Sequence, residues 1–350
     1  VAVLYIGSGF LIPLAITGLL YILSSALVDR ILHTSIFGWS PPSWLAQILG
    51  AGTIIGAIFL LGLIISSSAE ELQQALPKYQ ERAALLADQI EVFLGPRALD
   101  SLRGALAQAD VGSFFSAVFA GLGGALSTIG LVALYLAFLV TERTDWLEKL
   151  PRLAPTEAGM QRTRKILMRI SRGVKQYMWV NAVTSAMSGL VAYAIFSWVG
   201  LDFASLLALI VFVAGFIPSI GAFIGITLPS LVALIQFDSL TPFFIVLIGY
   251  GLSDQFIANV IQPAMQGKSL NISTFMVMVS LTFWATIWGG IGAFLAVPMM
   301  VVTMVICAEI PATCWIAVFL SSDGLLEDER EPEPEQANAS IFSRLSTKKT

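Results

Sequence analysis

The sequence predicts an all-α polytopic integral membrane protein, and three observations carry that prediction. Hydrophobic residues make up 57% of the 350-residue chain and charged residues 12%, against about 25% charged in a soluble domain. Mean hydropathy is +0.83. The apolar residues also gather in long uncharged runs such as Val1–Val28 and Leu45–Ser67, each long enough for the roughly 20 residues that a helix needs to cross a bilayer. No single soluble core can hide that much apolar surface, so a soluble enzyme is excluded. A net charge of −4 gives no basic field for nucleic acid. Two cysteines and one histidine provide neither a disulfide framework nor a histidine metal site or triad. No cofactor, metal site or catalytic residue is expected, and the chain reads as a non-enzyme.

The elements follow in order. Residues 1–67 form the N-terminal transmembrane helices. Val1–Val28 is one long helix or a tight pair broken at Pro13, and Leu45–Ser67 follows a Ser40-Pro41-Pro42 turn. The chain opens on Val1 rather than Met and is apolar at once, so residues are expected to precede it. Residues 68–113 change character, with seven acids and four bases between Glu70 and Asp110. Leu72, Leu76, Tyr79, Ala83, Leu86, Ile90 and Phe93 alternate spacings of four and three, one apolar seam of a helix close to a heptad. That seam suits packing on another helix, in the same chain or a neighbouring subunit, or lying on a membrane surface.

Residues 114–140 give a further span. Residues 141–176 are a basic loop, with nine Lys/Arg against four Asp/Glu between Glu142 and Lys175. The positive-inside rule puts this loop in the cytoplasm and the 68–113 region on the opposite side. Residues 177–320 are the C-terminal transport region, starting with a span at Tyr177–Val199. The acidic segment 321–350 reads as a disordered cytoplasmic tail.

Within the transport region two apolar stretches are interrupted. Phe203–Phe237 contains Gly215, Pro218, Gly221, Gly225 and Pro229. Thr274–Ile310 contains Gly289, Gly290, Gly292 and Pro298. Ile220-Gly221-Ala222-Phe223 recurs as Ile291-Gly292-Ala293-Phe294, each copy followed by a proline. Broken helices at membrane depth are tolerated where the freed backbone lines a cavity or is buried in protein, and paired interruptions point to a transport site. Each stretch either crosses the membrane with an unwound middle or returns as a re-entrant hairpin. Crossing is the expectation, with Pro218–Gly225 and Gly289–Pro298 unwound. The Pro263–Ser273 loop would then face outside.

Asp254 is the most informative single residue. A carboxylate at the centre of a span costs roughly 2.5–3.5 kcal/mol on insertion scales and usually faces a cavity or a partner. Gln255 and Asn259 share a helical face at i, i+4 beside it. Gly267-Lys268-Ser269 lacks the earlier glycine of a phosphate-binding loop, since Gln262 stands there, so no nucleotide is expected.

Phe216-Ile217-Pro218-Ser219-Ile220-Gly221, Asn259-Val260-Ile261-Gln262-Pro263 with Gly267-Lys268-Ser269-Leu270, and Trp288-Gly289-Gly290-Ile291-Gly292 with Ala296-Val297-Pro298 together resemble the autoinducer-2 exporter family of bacterial membrane proteins. The resemblance runs from about Leu11 to Asp323 and looks closest to the autoinducer-2 exporter branch. It departs at Ser219, where the family often has Asn, and at Ile257 and Ala258, where it often has Glu; Asp254 stands one turn away. The resemblance implies about eight spans, a homo-oligomer and a multi-pass location in the bacterial inner membrane. The partners are then the lipid bilayer and a small-molecule or ion substrate. The expected function is efflux of a small polar signal such as autoinducer-2 by secondary or facilitated transport. The alternatives are a Na⁺(Li⁺)/H⁺ antiporter or a non-transporting scaffold. Candidate pathway residues are Asp254, Gln255, Asn259, Pro218, Ser219, Gly221, Gln262, Pro263, Gly289, Gly292 and Pro298.

Overall fold

The computed structural model describes residues 2–33, 45, 49–50, 156–266 and 272–324, with scattered helical positions between 52 and 68 and between 130 and 139, and the isolated residues Tyr79 and Arg82. The Ser40–Pro42 turn, six of the seven seam residues (all but Tyr79), most of the Val111–Val140 run, the Lys268 loop and the tail beyond 324 lie outside the described residues. The described residues are mostly helical, joined by short turns. The helices are α1 (Ala2–Ile6), α2 (Ser8–His33), α3 (Glu157–Val199), α4 (Ala204–Ala214), α5 (Ile220–Gln236), α6 (Leu240–Gln266), α7 (Thr274–Glu309) and α8 (Cys314–Leu320).

Of the two readings of the first run, one long helix or a pair broken at Pro13, neither holds as stated: one long helix, α2, runs through Pro13, and the break falls at Gly7, between α1 and α2. Pro13 sits inside α2, and its carbonyl accepts the Thr17 hydroxyl at 2.7 Å.

Helix α3 has 43 residues, about 64 Å at ~1.5 Å per residue, twice the ~30 Å apolar core of a bilayer. Its composition divides it. The stretch from Arg162 to Lys175 holds six Lys/Arg and belongs outside the core, and Tyr177–Val199 is of spanning length. Thr156 caps the basic end by accepting from the Gly159 N–H, and Gly200 ends the helix in the left-handed conformation at φ 78°.

Both interrupted stretches fold back on themselves, which corrects the expectation that they cross. In the first, α4 and α5 have 11 and 17 residues, each shorter than the ~20 that span. Gln236 at the end of α5 returns to the start of α4. Its amide nitrogen donates to the Gly200 carbonyl at 2.9 Å and its amide oxygen accepts the Asp202 N–H at 2.7 Å. We call this pair hairpin 1.

The second stretch, α7, reverses at Gly289, whose φ 63° and ψ −144° interrupt the helix. Ser280 donates to the carbonyl of Ala296 at 2.9 Å, although 16 residues of straight helix would set them about 24 Å apart. This is hairpin 2. The physical reason for the reversal is glycine. A Cβ on Gly221 would strike the Ala214 carbonyl, and one on Gly292 would strike the Trp284 carbonyl. In each hairpin the glycine of the repeated tetrapeptide is where the second arm touches the backbone of the first.

The two hairpins enter from opposite faces. Hairpin 1 starts and ends beside Gly200, the non-basic end of α3. Helix α6 then runs back, placing Met265 against Gln176, whose amide donates to the Met265 carbonyl at 3.0 Å. Hairpin 2 starts and ends at the basic face, where Glu309 pairs with Arg169 at 2.9 Å and Arg162 at 3.6 Å. Helix α8 closes its base, the Leu320 carbonyl accepting the Ser273 N–H. The hairpins meet in the interior: the Phe216 and Phe294 rings lie 5.2 Å apart, and Ile217 packs against Leu281, Ala293 and Ala296. The order is therefore α3, hairpin from one face, α6, hairpin from the other.

One seam residue is described. Tyr79 is buried against Phe203 and donates to the Asp202 carboxylate at 3.1 Å. Arg82 pairs with Asp238. Both contacts clamp the base of hairpin 1, so at Tyr79 the seam packs within the chain.

Candidate functional site

A cavity of about 200 Å³ lies where the tip of hairpin 1 meets α3 and α6. From α3 come Tyr177, Asn181, Thr184, Ser185 and Ser188. Their offsets of 4, 7, 8 and 11 from Tyr177 put them on one helical stripe. From the tip come Gly215, Ile217, Pro218, Ser219 and Ala222, and from α6 Asp254, Ile257, Ala258 and Gln262.

Each wall has a local cause. Ser219 adopts φ 63°, a left-handed conformation uncommon for a non-glycine residue and costing of order 1–3 kcal/mol. That turn starts α5 without a side-chain cap, beside the residues of the tip that line the cavity. Gly215 lets the tip reach α3, since a Cβ there would lie 2.6 Å from the Ser185 hydroxyl oxygen. In α6, Asp254 lies between two π-helical turns, Ile245–Tyr250 and Ile257–Ile261. The second turn precedes Pro263, whose ring would clash with the carbonyl four residues earlier in a regular helix; widening the turn relieves that clash. Such π-bulges are frequent at functional sites.

Asp254 is 8% exposed. Two hydroxyl donors converge on its Oδ1: Ser188 at 2.9 Å and Tyr250 at 3.1 Å. Further along, the Gln262 amide nitrogen donates to Asn181 Oδ1 at 3.0 Å. The Thr184 hydroxyl returns to its own helix at the Val180 carbonyl, 2.9 Å away. Among the described residues that line it, the cavity offers hydroxyls, carboxamides and one carboxylate, with no Lys, Arg or His.

The structure gathers four of the sequence-derived candidates here: Asp254, Pro218, Ser219 and Gln262. Gly221 is one residue away from the lining, buried between α4 and α5. The others lie elsewhere. Gln255 and Asn259 share a face as their spacing predicts, but that face is exposed, and Asn259 donates to the Gln255 carbonyl and side-chain oxygen at 2.9 and 2.8 Å. Pro263 is exposed beside them. Gly289 forms the tip of hairpin 2, while Gly292 and Pro298 are buried in its second arm. The stripe on α3 and the Tyr250 hydroxyl were not singled out in the sequence. The stripe was readable there, as five polar groups at helical spacing inside an apolar span.

Membrane-length apolar helices, two apolar stretches that reverse at Gly/Pro-rich breaks, and a polar cavity at the tip of the first of them define a polytopic membrane transport protein. Sequence comparison places it further: the AI-2E family transporter profile matches residues 1–312, and the chain belongs to that family. It is 27% identical over 289 residues to the Escherichia coli K12 AI-2 transport protein TqsA, covering 81% of this chain and 82% of that protein. It is 26% identical over 286 residues to a putative transport protein of Haemophilus influenzae, covering 80% and 82%. A putative transport protein of Borreliella burgdorferi is 30% identical over 208 residues, covering 59% and 57%.

Proposed function

We propose that this transporter exports a small polar molecule, autoinducer-2 being the leading candidate, across the bacterial inner membrane. The observation that carries the reading is the cavity at the hairpin 1 tip. Its hydroxyl and carboxamide lining suits a neutral, oxygen-rich solute, and its size falls below the roughly 300–1,000 Å³ of sites for drug-sized ligands. The E. coli relative supports the choice of solute.

The opposed hairpins support alternating access as the mechanism. Each would act as the gate for its own face, hairpin 1 on the side of Asp238 and hairpin 2 on the side of Glu309. The basic end of α3 makes the Glu309 side cytoplasmic. Candidate pathway groups are Asp254, Pro218, Ser219 and Gln262 with the α3 stripe; Gly221, Gly289, Gly292 and Pro298 shape the gates.

The buried Asp254 carboxylate favours one second reading, Na⁺(Li⁺)/H⁺ antiport with Asp254 as the coupling acid. Reconstitution decides between them. Liposomes containing the purified chain should take up autoinducer-2 saturably, above protein-free liposomes. A pH gradient that drives Na⁺ flux without any autoinducer-2 flux selects the antiporter. No flux of either solute would overturn transport through this cavity. Asp254→Asn should keep the protein inserted and abolish the pH dependence of whichever flux is found.

A further inference from the structure

One buried polar atom, on a residue that lines the cavity, has no partner in the fold. Tyr177 is 5% exposed, on the stripe that faces the cavity, and its hydroxyl is the one buried side-chain polar atom among the described residues without a hydrogen-bond partner. Other buried polar groups of the site are satisfied within the protein: Ser188 and Tyr250 on Asp254, Thr184 on the Val180 carbonyl, and Asn181 with Gln262. Asn181, one turn along α3, is the polar group closest to the Tyr177 hydroxyl; its carboxamide approaches without reaching hydrogen-bond geometry, and its Oδ1 accepts from Gln262. A buried hydroxyl left without a partner is destabilising, because water is lost and nothing replaces it. Phenylalanine would keep the same ring in the apolar cluster that holds Val174, Met178 and Trp288, without that penalty.

We infer that Tyr177 is a hydrogen-bonding partner of the transported molecule, its O–H donating to a hydroxyl or carbonyl oxygen of the solute. The inference rests on the reading of this cavity as the transport site. Position specifies the role further. Tyr177 precedes Ser188 by 11 residues on α3, about 16 Å of helix rise, so it belongs to the other end of the cavity from Asp254. It shares an apolar cluster with Trp288, next to the tip of hairpin 2. A solute held by Tyr177 therefore stands at the end nearest the second gate, on the basic face. A hydroxyl donor there suits an oxygen acceptor of the solute, at a station separated from the carboxylate at the other end.

Tyr177→Phe tests this, because a structural and a ligand-binding hydroxyl give opposite results. The purified full-length variant should melt at the same temperature as wild type or higher, since it loses an unsatisfied polar atom. In proteoliposomes its KM for autoinducer-2 should rise about tenfold, with maximal flux and pH dependence retained. A lower melting temperature would show that the hydroxyl supports the fold and would overturn the inference, as would an unchanged KM. If wild type carries no autoinducer-2, the transport reading fails on wild type alone. Thermal stabilisation by a second probe, D-ribose, then decides the role of Tyr177. A stabilisation present in wild type and lost in Tyr177→Phe supports it; the same stabilisation in both, or none in either, overturns it.

Discussion

At the scale of single residues, three neighbouring glycines in hairpin 2 have different functions, and the difference can be measured. Gly292 touches the Trp284 carbonyl, a backbone atom that cannot rotate away, so Gly292→Ala forces the arms apart. Overpacking of this kind costs about 1–3 kcal/mol. Gly289 has open space around it, but its φ 63° and ψ −144° lie in a region open essentially to glycine alone, and Gly289→Ala should cost about 1–3 kcal/mol through strain. Gly290 has open space and no positive φ, so Gly290→Ala should be neutral or stabilising by up to ~1 kcal/mol. Thermal melts of the three variants check the order; a Gly290 variant as damaged as Gly292→Ala would refute the packing account. The sequence shows the glycine cluster but not this division, because φ and close approach are properties of the folded hairpin. Asp254 was readable as a charge inside an apolar run. That Gln255 and Asn259 turn away from it was not, since spacing fixes which residues share a face but not which face looks inward.

At the scale of elements, the interruptions in Phe203–Phe237 and Thr274–Ile310 were legible and their direction was not. Lengths of 35 and 37 residues suit a kinked span and a hairpin equally. The decision lies in contacts between residues far apart in sequence, Gln236 with Gly200 and Ser280 with Ala296. The clamp on hairpin 1 is of the same kind, joining Arg82 to Asp238 across 156 residues. The hydrogen bonds from Arg82, then its charge, hold the Asp238 carboxyl below its ordinary value. A carboxylate whose pKa is lowered in the folded state stabilises above its unfolded pKa of about 3.9 and loses that contribution as the pH falls through the lowered value. The clamp should therefore be constant from pH 5 to 8 and weaken in stronger acid. Burial, and then the Asp202 carboxylate, push the Tyr79 phenol above its ordinary range, so the Tyr79 donor stays neutral throughout. Melting of wild type against Arg82→Ala follows the ion pair. The gap between them should be flat near neutrality and close in acid; because the pair is solvent-exposed, it should also shrink in high salt. A gap that widens on acidification would refute the assignment.

At the scale of the whole molecule, the two hairpins form a related pair in opposite orientation. Each second arm begins with the same tetrapeptide, and an acid follows its glycine by 17 residues in both cases, Asp238 after Gly221 and Glu309 after Gly292. Each acid pairs with arginine at the base of its own hairpin. With α3 running one way and α6 the other, this is an inverted arrangement of helix plus hairpin, a plan found in transporters whose site lies between the repeats. The arrangement fixes which loops share a side. Gln161, Gln266 and Ile272 belong to the basic face, and Ser239 belongs to the opposite one. Single cysteines at Gln161, Ser269 and Ser239, in a chain with Cys307 and Cys314 replaced by serine, make the comparison. In intact cells an impermeant thiol reagent should label Ser239→Cys, which is exposed just past hairpin 1. Ser269→Cys and Gln161→Cys should react only after permeabilisation. Crossing segments would reverse the result for Ser269, because a single pass of Phe203–Phe237 puts α6 the other way up. External labelling of Ser269→Cys together with Ser239→Cys is also incompatible with hairpins, since α6, with 27 residues, spans about 40 Å and separates the two positions. The opposed gates require Ser239 to react from one side of the membrane and Ser269 from the other.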